Sequence, residues 1–346
     1  MRVLVVKPSS LGDVVCALAV VPRLRRLLPG CEIDWLINRE YAALVQAAGV
    51  DRVIVFDRGS WRRWRSVLAG LSNLWDASLQ IRRSRYALVL DLQGLLRSGW
   101  FTWVSGAPRR IGFADAREGA WLAYTERVQV RRHTVHAVDY CLAALRVLGD
   151  GAEPASWEWP GLAPALAAVR EKTGLVSKTY FVLAPGSRRA EKRWPVAAWG
   201  ELTARLWQRY HLPVALVGDE RERELAAEIA RRASTCGIAP GVVHVLAGVL
   251  NLLDLLALSR ESRLFIGGDT GPLHAAVAAG AQVVALMGPT DPDRHGPYGQ
   301  REHVVAAPAP CAPCHGSRRA CDMTPGCMEA ITVDAVMNKV QEVIGA

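Results

Sequence analysis

Residues 2–14 read RVLVVKPSSLGDV, and this stretch decides the fold that the sequence predicts. The apolar run Arg2–Val6 is rich in β-branched residues, which favour a buried strand. A polar turn follows it, and an amphipathic pattern then extends to Leu28. A strand that leads through such a turn into a helix begins a βαβ unit, so we expect a parallel sheet.

The same alternation of strand and helix continues along the chain, stops and then restarts. In the first half it predicts three more strands: Glu32–Ile37, Val53–Phe56 and Ala87–Leu92. It also predicts two helices, over residues 40–48 and 60–85. Glycines and prolines then cluster and predict a linker over residues 156–178. Beyond the linker the pattern predicts five strands: Tyr180–Ala184, Pro213–Val217, Val242–Leu246, Leu264–Ile266 and Gln282–Leu286. Helices are predicted between these strands over 195–210, 220–234, 251–260 and 271–280.

These patterns predict an α/β protein with two Rossmann-like domains whose parallel sheets face a central cleft. The first domain covers residues 1–155 and the second covers residues 179–330. Residues 331–346 are expected to form a final helix that packs back toward the first domain. Ligands of open parallel sheets bind beyond the carboxyl ends of the strands, so two such edges make a site for two substrates.

Charge is distributed unevenly between the two halves. The net charge is +9, and residues 1–150 hold 22 basic and 13 acidic side chains, so the whole surplus lies in the first half. Of the 42 basic residues 37 are arginine, whose planar guanidinium suits phosphate and carboxylate. The segment 58–65, RGSWRRWR, concentrates this charge. It suits a nucleic acid, a membrane surface or an anionic ligand, although a solvated helix face has the same composition.

The composition is that of a globular protein, with 51% hydrophobic and 22% charged residues. No run of 18 or more apolar residues occurs, and the N-terminus lacks the apolar core of a signal peptide. We therefore expect a cytoplasmic protein without a transmembrane helix.

The turn after the first strand contains the candidate catalytic residue. Ser9, Ser10, Gly12 and Asp13 lie where this strand meets the first helix. Asp13 is placed to accept a proton from an incoming hydroxyl. A carboxylate in the first helical turn also complements the helix dipole, so both roles are open from the residues alone.

Three loops of the second half suit a nucleotide diphosphate. Residues 184–195, APGSRRAEKRWP, combine a glycine turn with basic side chains, although a solvated loop has a similar composition. Residues 267–274, GGDTGPLH, open a helix whose free N–H groups bind phosphate, unless they form only a structural turn. Residues 218–220, GDE, place carboxylates where ribose hydroxyls bind, or where a helix is capped.

Four of the eight cysteines lie near the C-terminus: Cys311, Cys314, Cys321 and Cys327. In a chain expected to be cytoplasmic, this spacing favours a metal site over disulfides. We expect a structural zinc or iron there, with His315 and Cys321 competing as ligands, and no metal at the catalytic site.

Together these motifs resemble glycosyltransferase family 9, the bacterial lipopolysaccharide heptosyltransferases. The resemblance covers most of the chain and is carried by five segments: 7–14, 91–95 (DLQGL), 192–195 (KRWP), 269–274 (DTGPLH) and 288–292 (GPTDP). The first half resembles the heptosyltransferase I branch through residues 9–13, the Arg-Trp-Arg stretch and Ala116-Arg117-Glu118.

The resemblance implies a GT-B fold and an inverting enzyme that transfers L-glycero-D-manno-heptose from ADP-heptose to Kdo-lipid A, without a required cofactor. A later core heptose or another glycan acceptor is the alternative. By position, Asp13 would be the general base. The implied donor-binding residues are Ser187, Arg188, Lys192, Glu220, Leu250, Asp269, Thr270, Gly271, Pro272 and His274. The implied acceptor-binding residues are Ser9, Ser10, Gly12, Arg62, Arg63, Arg65 and Arg117.

With such an acceptor, the arginine surplus predicts capture of an anionic lipid and peripheral attachment to the inner face of the inner membrane. Nucleic-acid binding is disfavoured because no RRM, KH, helix-turn-helix or zinc-finger pattern is present. A nicotinamide-dependent dehydrogenase is disfavoured because neither half opens with GxGxxG.

Overall fold

The computed structural model describes residues 1–56, 67–151, 153–314 and 326–345, apart from the side chains of 67–72. The chain divides into two compact units, Met1–Gly161 and Leu162–Ala346. The boundary between the units falls inside the segment that the sequence predicts as a linker.

The first unit contains a six-stranded parallel sheet. Its strands are β1 (Arg2–Val6), β2 (Glu32–Ile37), β3 (Arg52–Val55), β4 (Leu88–Asp91), β5 (Arg109–Phe113) and β6 (Glu126–Val128). They lie in the order β3-β2-β1-β4-β5-β6, and each neighbouring pair is parallel. Its α-helices are α1 (Leu11–Leu18), α2 (Val20–Leu27), α3 (Ala42–Ala47), α4 (Val67–Arg83), α5 (Leu96–Val104) and α6 (Ala137–Ala143).

The second unit repeats this architecture. Its strands are β7 (Phe181–Ala184), β8 (Val214–Leu216), β9 (Val243–Val245), β10 (Leu264–Gly268), β11 (Val283–Met287) and β12 (Val304–Ala306). They lie in the order β12-β11-β10-β7-β8-β9, again with parallel neighbours. Its α-helices are α7 (Ala163–Thr173), α8 (Val196–Tyr210), α9 (Arg223–Thr235), α10 (Leu252–Glu261), α11 (Gly271–Ala278), α12 (Pro292–His295) and α13 (Val333–Gly345).

Both sheets have the strand order of a doubly wound nucleotide-binding fold, which confirms the predicted class. The central strands are buried along their length, as in β1 from Val3 to Val6 and in β10, because helices cover both faces of such a sheet. That the two sheets face a central cleft stays a prediction.

The predicted linker contains a helix. In α7, Pro164 lies in the first turn and Gly174 ends the helix with a φ of +67°. Lys172 Nζ donates to Asp254 Oδ2 at 2.6 Å, which ties α7 to α10. The prolines and glycines that indicate a linker therefore flank a short alanine-rich helix.

The structure packs the final helix α13 into the core of the second unit, where the sequence predicts packing toward the first domain. Its apolar stripe of Val336, Met337 and Val340 is buried in that core, against α8 and β11. Nearby, Trp194 Nε1 donates to the carbonyl of Ile331 at 2.9 Å. An apolar stripe at helical spacing shows that one face is buried but does not identify the surface that covers it.

Candidate active site

Each sheet has a point at which its strand order reverses, between β1 and β4 and between β7 and β10. Ligands bind at such points because the loops of the two central strands diverge there. The predicted site motifs lie in these four loops: residues 7–13, 92–95, 185–193 and 269–274. The topology thus places the predicted catalytic residue at one switch point and the predicted diphosphate loops at the other.

Asp13 lies in the first turn of α1 and is exposed. Its Oδ2 accepts hydrogen bonds from Ser10 Oγ at 2.7 Å and from the Ser10 backbone N–H at 3.1 Å. The capping role weighed from the sequence is therefore present. Because the carboxylate also faces solvent at the switch point, it can accept a proton from a hydroxyl that binds there.

Buried polar contacts hold the end of β4 beside this turn. Lys7 Nζ donates to the carbonyl of Leu92 at 3.0 Å, which joins the ends of β1 and β4. Asp91 is fully buried and accepts from the Gly94 backbone N–H at 3.0 Å and from the Tyr124 hydroxyl at 2.8 Å. Burial raises the pKa of Asp91, although these two donors oppose the rise. Asp91 therefore shapes the turn and is not exposed to a ligand.

Of the predicted acceptor-binding arginines, Arg117 belongs to the described residues. Its backbone N–H donates to the carbonyl of Gly94 at 2.9 Å, and its side chain is exposed at the carboxyl edge of β4. Arg62, Arg63 and Arg65 lie outside the described residues, so their role stays a prediction.

Arg132 is a further candidate that the sequence motifs did not indicate. Its guanidinium lies 5.2 Å from the ring centroid of Tyr140 and donates to the carbonyl of Gln93 at 3.3 Å. Burial opposes its charge, but Tyr140, Asp115 and Asp13 outweigh burial and raise the pKa of the guanidinium. Arg132 thus places a positive charge within electrostatic range of Asp13.

The second switch point has a buried carboxylate between a lysine and a histidine. Lys192 Nζ donates to Asp269 Oδ2 at 2.6 Å, and His274 Nε2 lies 3.4 Å from the other carboxylate oxygen. The side chain of Asp269 is only 8% exposed. Burial opposes its ionisation, but His274 and then Lys192 outweigh burial and hold the pKa of Asp269 well below its usual range.

The loop after β7 is held mainly through its backbone. Ser187 is buried, and its carbonyl accepts from Arg193 Nε at 2.8 Å. Arg188 is exposed. Across the switch point, Thr270 is the N-cap of α11 and Gly271 is its first residue, so the Gly271 N–H lies beside Asp269. Pro272 has no N–H, and the N–H groups of Leu273 and His274 donate to the carbonyl of Thr270.

Glu222 lies at the sheet edge where the sequence analysis indicates Glu220. Glu220 is exposed and pairs with Arg223 at 2.7 Å. The carboxylate of Glu222 fills the space beside two glycines, because an added Cβ would lie 2.0 Å from it at Gly186 and 2.6 Å from it at Gly218. The signal for Glu222 is its position three residues after Asp219, the spacing of a capping box.

Leu250, the predicted adenine contact, is half-buried just before the N-cap of α10. Together with Glu222, it follows a strand of the second sheet at the carboxyl edge. The adenine and ribose assignments remain predictions.

His295 is a third residue that the sequence motifs did not indicate, after Arg132 and Glu222. It ends α12, which begins at the last residue of the predicted motif 288–292. Burial lowers the pKa of His295 to about 4, and the carboxylate of Asp269 opposes this while the charges of His274 and Lys192 add to it. A neutral imidazole therefore lies close to the cationic cluster.

The cysteine segment offers no ligand cluster within the part of the chain that the structure describes. There, no three histidine, cysteine or acidic side chains are grouped closely enough to bind a metal ion. Cys311 and Cys314 are half-buried, while Cys327 packs in the core beneath Gly288. Cys321 and His315 lie outside the described residues.

Two Rossmann-like units, with an exposed carboxylate at one switch point and cationic loops at the other, have the architecture of a GT-B-type glycosyltransferase. The family model of glycosyltransferase family 9 (heptosyltransferase) matches residues 75–324, and the chain belongs to this family.

Two relatives agree with this membership, and a solved structure has the same fold. Lipopolysaccharide heptosyltransferase 1 of Pseudomonas aeruginosa is 30% identical over 320 residues, which cover 91% of this chain and 86% of the relative. The Escherichia coli K12 protein of the same name is 28% identical over 323 residues, covering 89% and 94%. The structure of E. coli heptosyltransferase WaaC with ADP matches with a TM-score of 0.79 at 24% identity and covers 99% of both chains.

Proposed function

We propose that this protein is an inverting heptosyltransferase that transfers L-glycero-D-manno-heptose from ADP-heptose to the Kdo-lipid A inner core. The observation that carries the proposal is that the chain contains both sites: an exposed Asp13 at one switch point and the Lys192–Asp269–His274 cluster at the other. Its support is the presence of both sites in a chain that is 30% identical to a protein named lipopolysaccharide heptosyltransferase 1.

On the acceptor side, Asp13 takes the proton of a hydroxyl of the sugar acceptor as the hydroxyl oxygen attacks the anomeric carbon of the donor. The new glycosidic bond forms on the face opposite the departing diphosphate, so the anomeric configuration inverts. Arg132 and Arg117 lie at the same edge and suit the carboxylates and phosphates of the acceptor. We assign Arg62, Arg63 and Arg65 to the same role from the sequence.

On the donor side, the bond between the anomeric carbon and the diphosphate breaks, and negative charge develops on the phosphate oxygens. Lys192, His274 and the Gly271 N–H at the start of α11 are placed to stabilise this charge. Asp269 contacts Lys192 through one oxygen and His274 through the other, and so orients both side chains. Because these groups can carry the charge of the leaving group, the proposed step uses no resident metal or other cofactor.

None of the helices in the described ranges is long and apolar enough to cross a membrane. We propose that the protein attaches peripherally to the inner face of the inner membrane, where a lipid-anchored acceptor is accessible. The support is the arginine surplus of the first half.

Mass-spectrometric product analysis tests the proposal directly. The protein is incubated with ADP-heptose and with either Kdo₂–lipid A or a core oligosaccharide that already carries heptose. We expect a product heavier by one heptose only with Kdo₂–lipid A. A product formed only from the heptosylated core would support the alternative acceptor, and the absence of product from both would contradict the assignment.

A further inference from the structure

Helix α5 has three large apolar side chains on its outer face, while its Phe101 packs in the core of the first unit. Leu96, Trp100 and Trp103 are exposed, while Ser98 and Thr102 are buried. The three exposed residues follow the spacing i, i+4, i+7, so they lie along one side of the helix. A surface helix of a soluble domain usually has a polar outer side, and the outer side of α5 is apolar instead.

Neighbouring elements extend this face. Trp100 Nε1 donates to Ser78 Oγ at 3.1 Å, which joins α5 to α4, and Trp75 lies one turn before Ser78. On the other side, Gly99 packs so closely on the turn at Ala120 that an added Cβ would lie 3.0 Å from its Cα. We call the six exposed residues of these elements the tryptophan surface: Trp75, Leu96, Trp100, Trp103, Trp121 and Leu122.

Exposure of tryptophan is confined to this surface among the described residues. The exposed fractions of the six side chains range from 39% for Trp121 to 69% for Leu122. By contrast, Trp35, Trp194 and Trp199 are buried in the cores of the two units. Because a soluble domain rarely exposes several large apolar side chains together, such a patch marks a surface that binds a partner.

The charge around the surface is predominantly positive. Arg97 is exposed on α5, and the Arg127 guanidinium lies 4.9 Å from the ring centroid of Trp121. Two further arginines, Arg82 and Arg83, are exposed at the end of α4. The acidic residues of these elements are Asp76, Glu118 and Glu126. Glu118 Oε2 accepts from the first N–H of α5, and Glu126 pairs with Arg109 at 2.7 Å.

We propose that the tryptophan surface docks on an anionic phospholipid bilayer, with the indole rings in the headgroup region and the arginines against the lipid phosphates. Tryptophan prefers this interface because one end of the ring is apolar and its N–H is polar. A second copy of the chain is disfavoured as occupant, because two strongly basic first halves would face each other.

The position of the tryptophan surface assigns the docking a role in acceptor binding, and this role rests on the proposed function. Helix α5 begins directly after the turn at residues 92–95, which lies at the switch point of the first sheet. A bilayer that contacts Leu96 therefore lies beside the edge that contains Asp13. Docking would present the sugar of a lipid-anchored acceptor to that edge.

Vesicle flotation tests the docking. The triple variant Trp75→Gln/Trp103→Gln/Leu122→Gln removes apolar area, keeps the net charge and keeps the Trp100–Ser78 hydrogen bond. We expect its Kd for phosphatidylcholine–phosphatidylglycerol vesicles to rise at least ~10-fold, because these side chains lose their burial in the bilayer. The control Val176→Gln/Val249→Gln, which alters exposed apolar residues of the second unit, should bind like the wild type. Pure phosphatidylcholine vesicles should bind the wild type more weakly.

The docking is contradicted if the triple variant binds vesicles like the wild type, or if the wild type forms a dimer that this variant disrupts. Should the triple variant melt early, the single variant Leu122→Gln, at the most exposed position, must still weaken binding measurably. A water-soluble, deacylated acceptor separates the two proposals. The triple variant should keep full transferase activity on this soluble acceptor. If the wild type bound vesicles but had no activity on the soluble acceptor, the proposed function would be contradicted and the proposed docking would not.

Discussion

The two switch points each contain an aspartate, and the surroundings give the two carboxylates different roles. Asp13 is exposed and is capped from one side by Ser10. Asp269 is buried, and Lys192 and His274 bind both of its oxygens. Asp13 follows the first strand of its sheet and Asp269 follows β10, the counterpart of β4, so the two positions are not equivalent. The same residue type at the two switch points is therefore available to a ligand in one unit and enclosed in the other.

This difference teaches which carboxylate can act as a base. A base must reach the substrate and must gain a proton near neutral pH, but the contacts with His274 and Lys192 hold the pKa of Asp269 well below the usual range. Asp269 therefore orients the groups that bind the leaving phosphate. Asp13 alone of the pair has the access that proton transfer requires.

The largest expected effect tests the role of Asp13. In Asp13→Asn, the side-chain oxygen still accepts from Ser10 but cannot take up a proton, so we expect turnover to fall at least ~100-fold. Affinity for ADP, measured by calorimetry, should stay within about twofold, because the substitution leaves the second unit unchanged. The control Asp51→Asn changes an exposed carboxylate at the other end of the sheet. Equal turnover in the two variants would remove Asp13 from the catalytic role.

The next effect tests the cationic side of the second switch point. Lys192→Ala removes a charge that faces the predicted diphosphate, so we expect the Kd of ADP to rise about 10-fold or more. Arg189→Ala is the matched control, because Arg189 belongs to the same loop but is exposed and pairs with Glu191. If calorimetry gave both variants the same affinity, Lys192 would not contact the phosphates.

A smaller effect distinguishes the two glutamates after β8. Glu222→Gln should weaken ADP binding roughly threefold to tenfold, as expected for loss of a charged hydrogen-bond acceptor to ribose. Glu220→Gln should change the affinity by less than about twofold, because that side chain is solvated and paired with Arg223. If Glu220→Gln weakened ADP binding more than Glu222→Gln, Glu220 would be the ribose-binding residue, as the sequence predicts.

The smallest effect concerns pH. With a pKa of about 4, His295 is neutral in the free protein at pH 5 to 7. Bound diphosphate would favour its protonated form, so binding takes up a proton and strengthens as pH falls toward 5. The titration of ADP itself cancels when the wild type is compared with His295→Gln. We expect the ratio of their affinities to change about twofold between pH 7 and pH 5, and a constant ratio would place His295 away from the ligand.

The sequence predicts a strand correctly where its apolar pattern matches the burial of that strand. All nine predicted strands have counterparts in the two sheets, because buried central strands are continuous apolar runs. The sequence patterns did not predict β5, β6 and β12. In β5 the first two residues are arginines and in β6 they are a glutamate and an arginine, so neither strand is an apolar run. The patterns did not predict α5 either, because it has apolar residues on its outer side as well as in the core.

Local sequence was sufficient for the alternation of strand and helix, the two-unit organisation and the loops that contain Asp13, Lys192 and Asp269. Each of these depends on residues that are neighbours along the chain. The roles of individual side chains required the tertiary structure. Lys192 and Asp269 are 77 residues apart and meet only because β7 and β10 are adjacent in the sheet. Burial, pairing and pKa are set by such neighbours in space, which a local pattern does not encode.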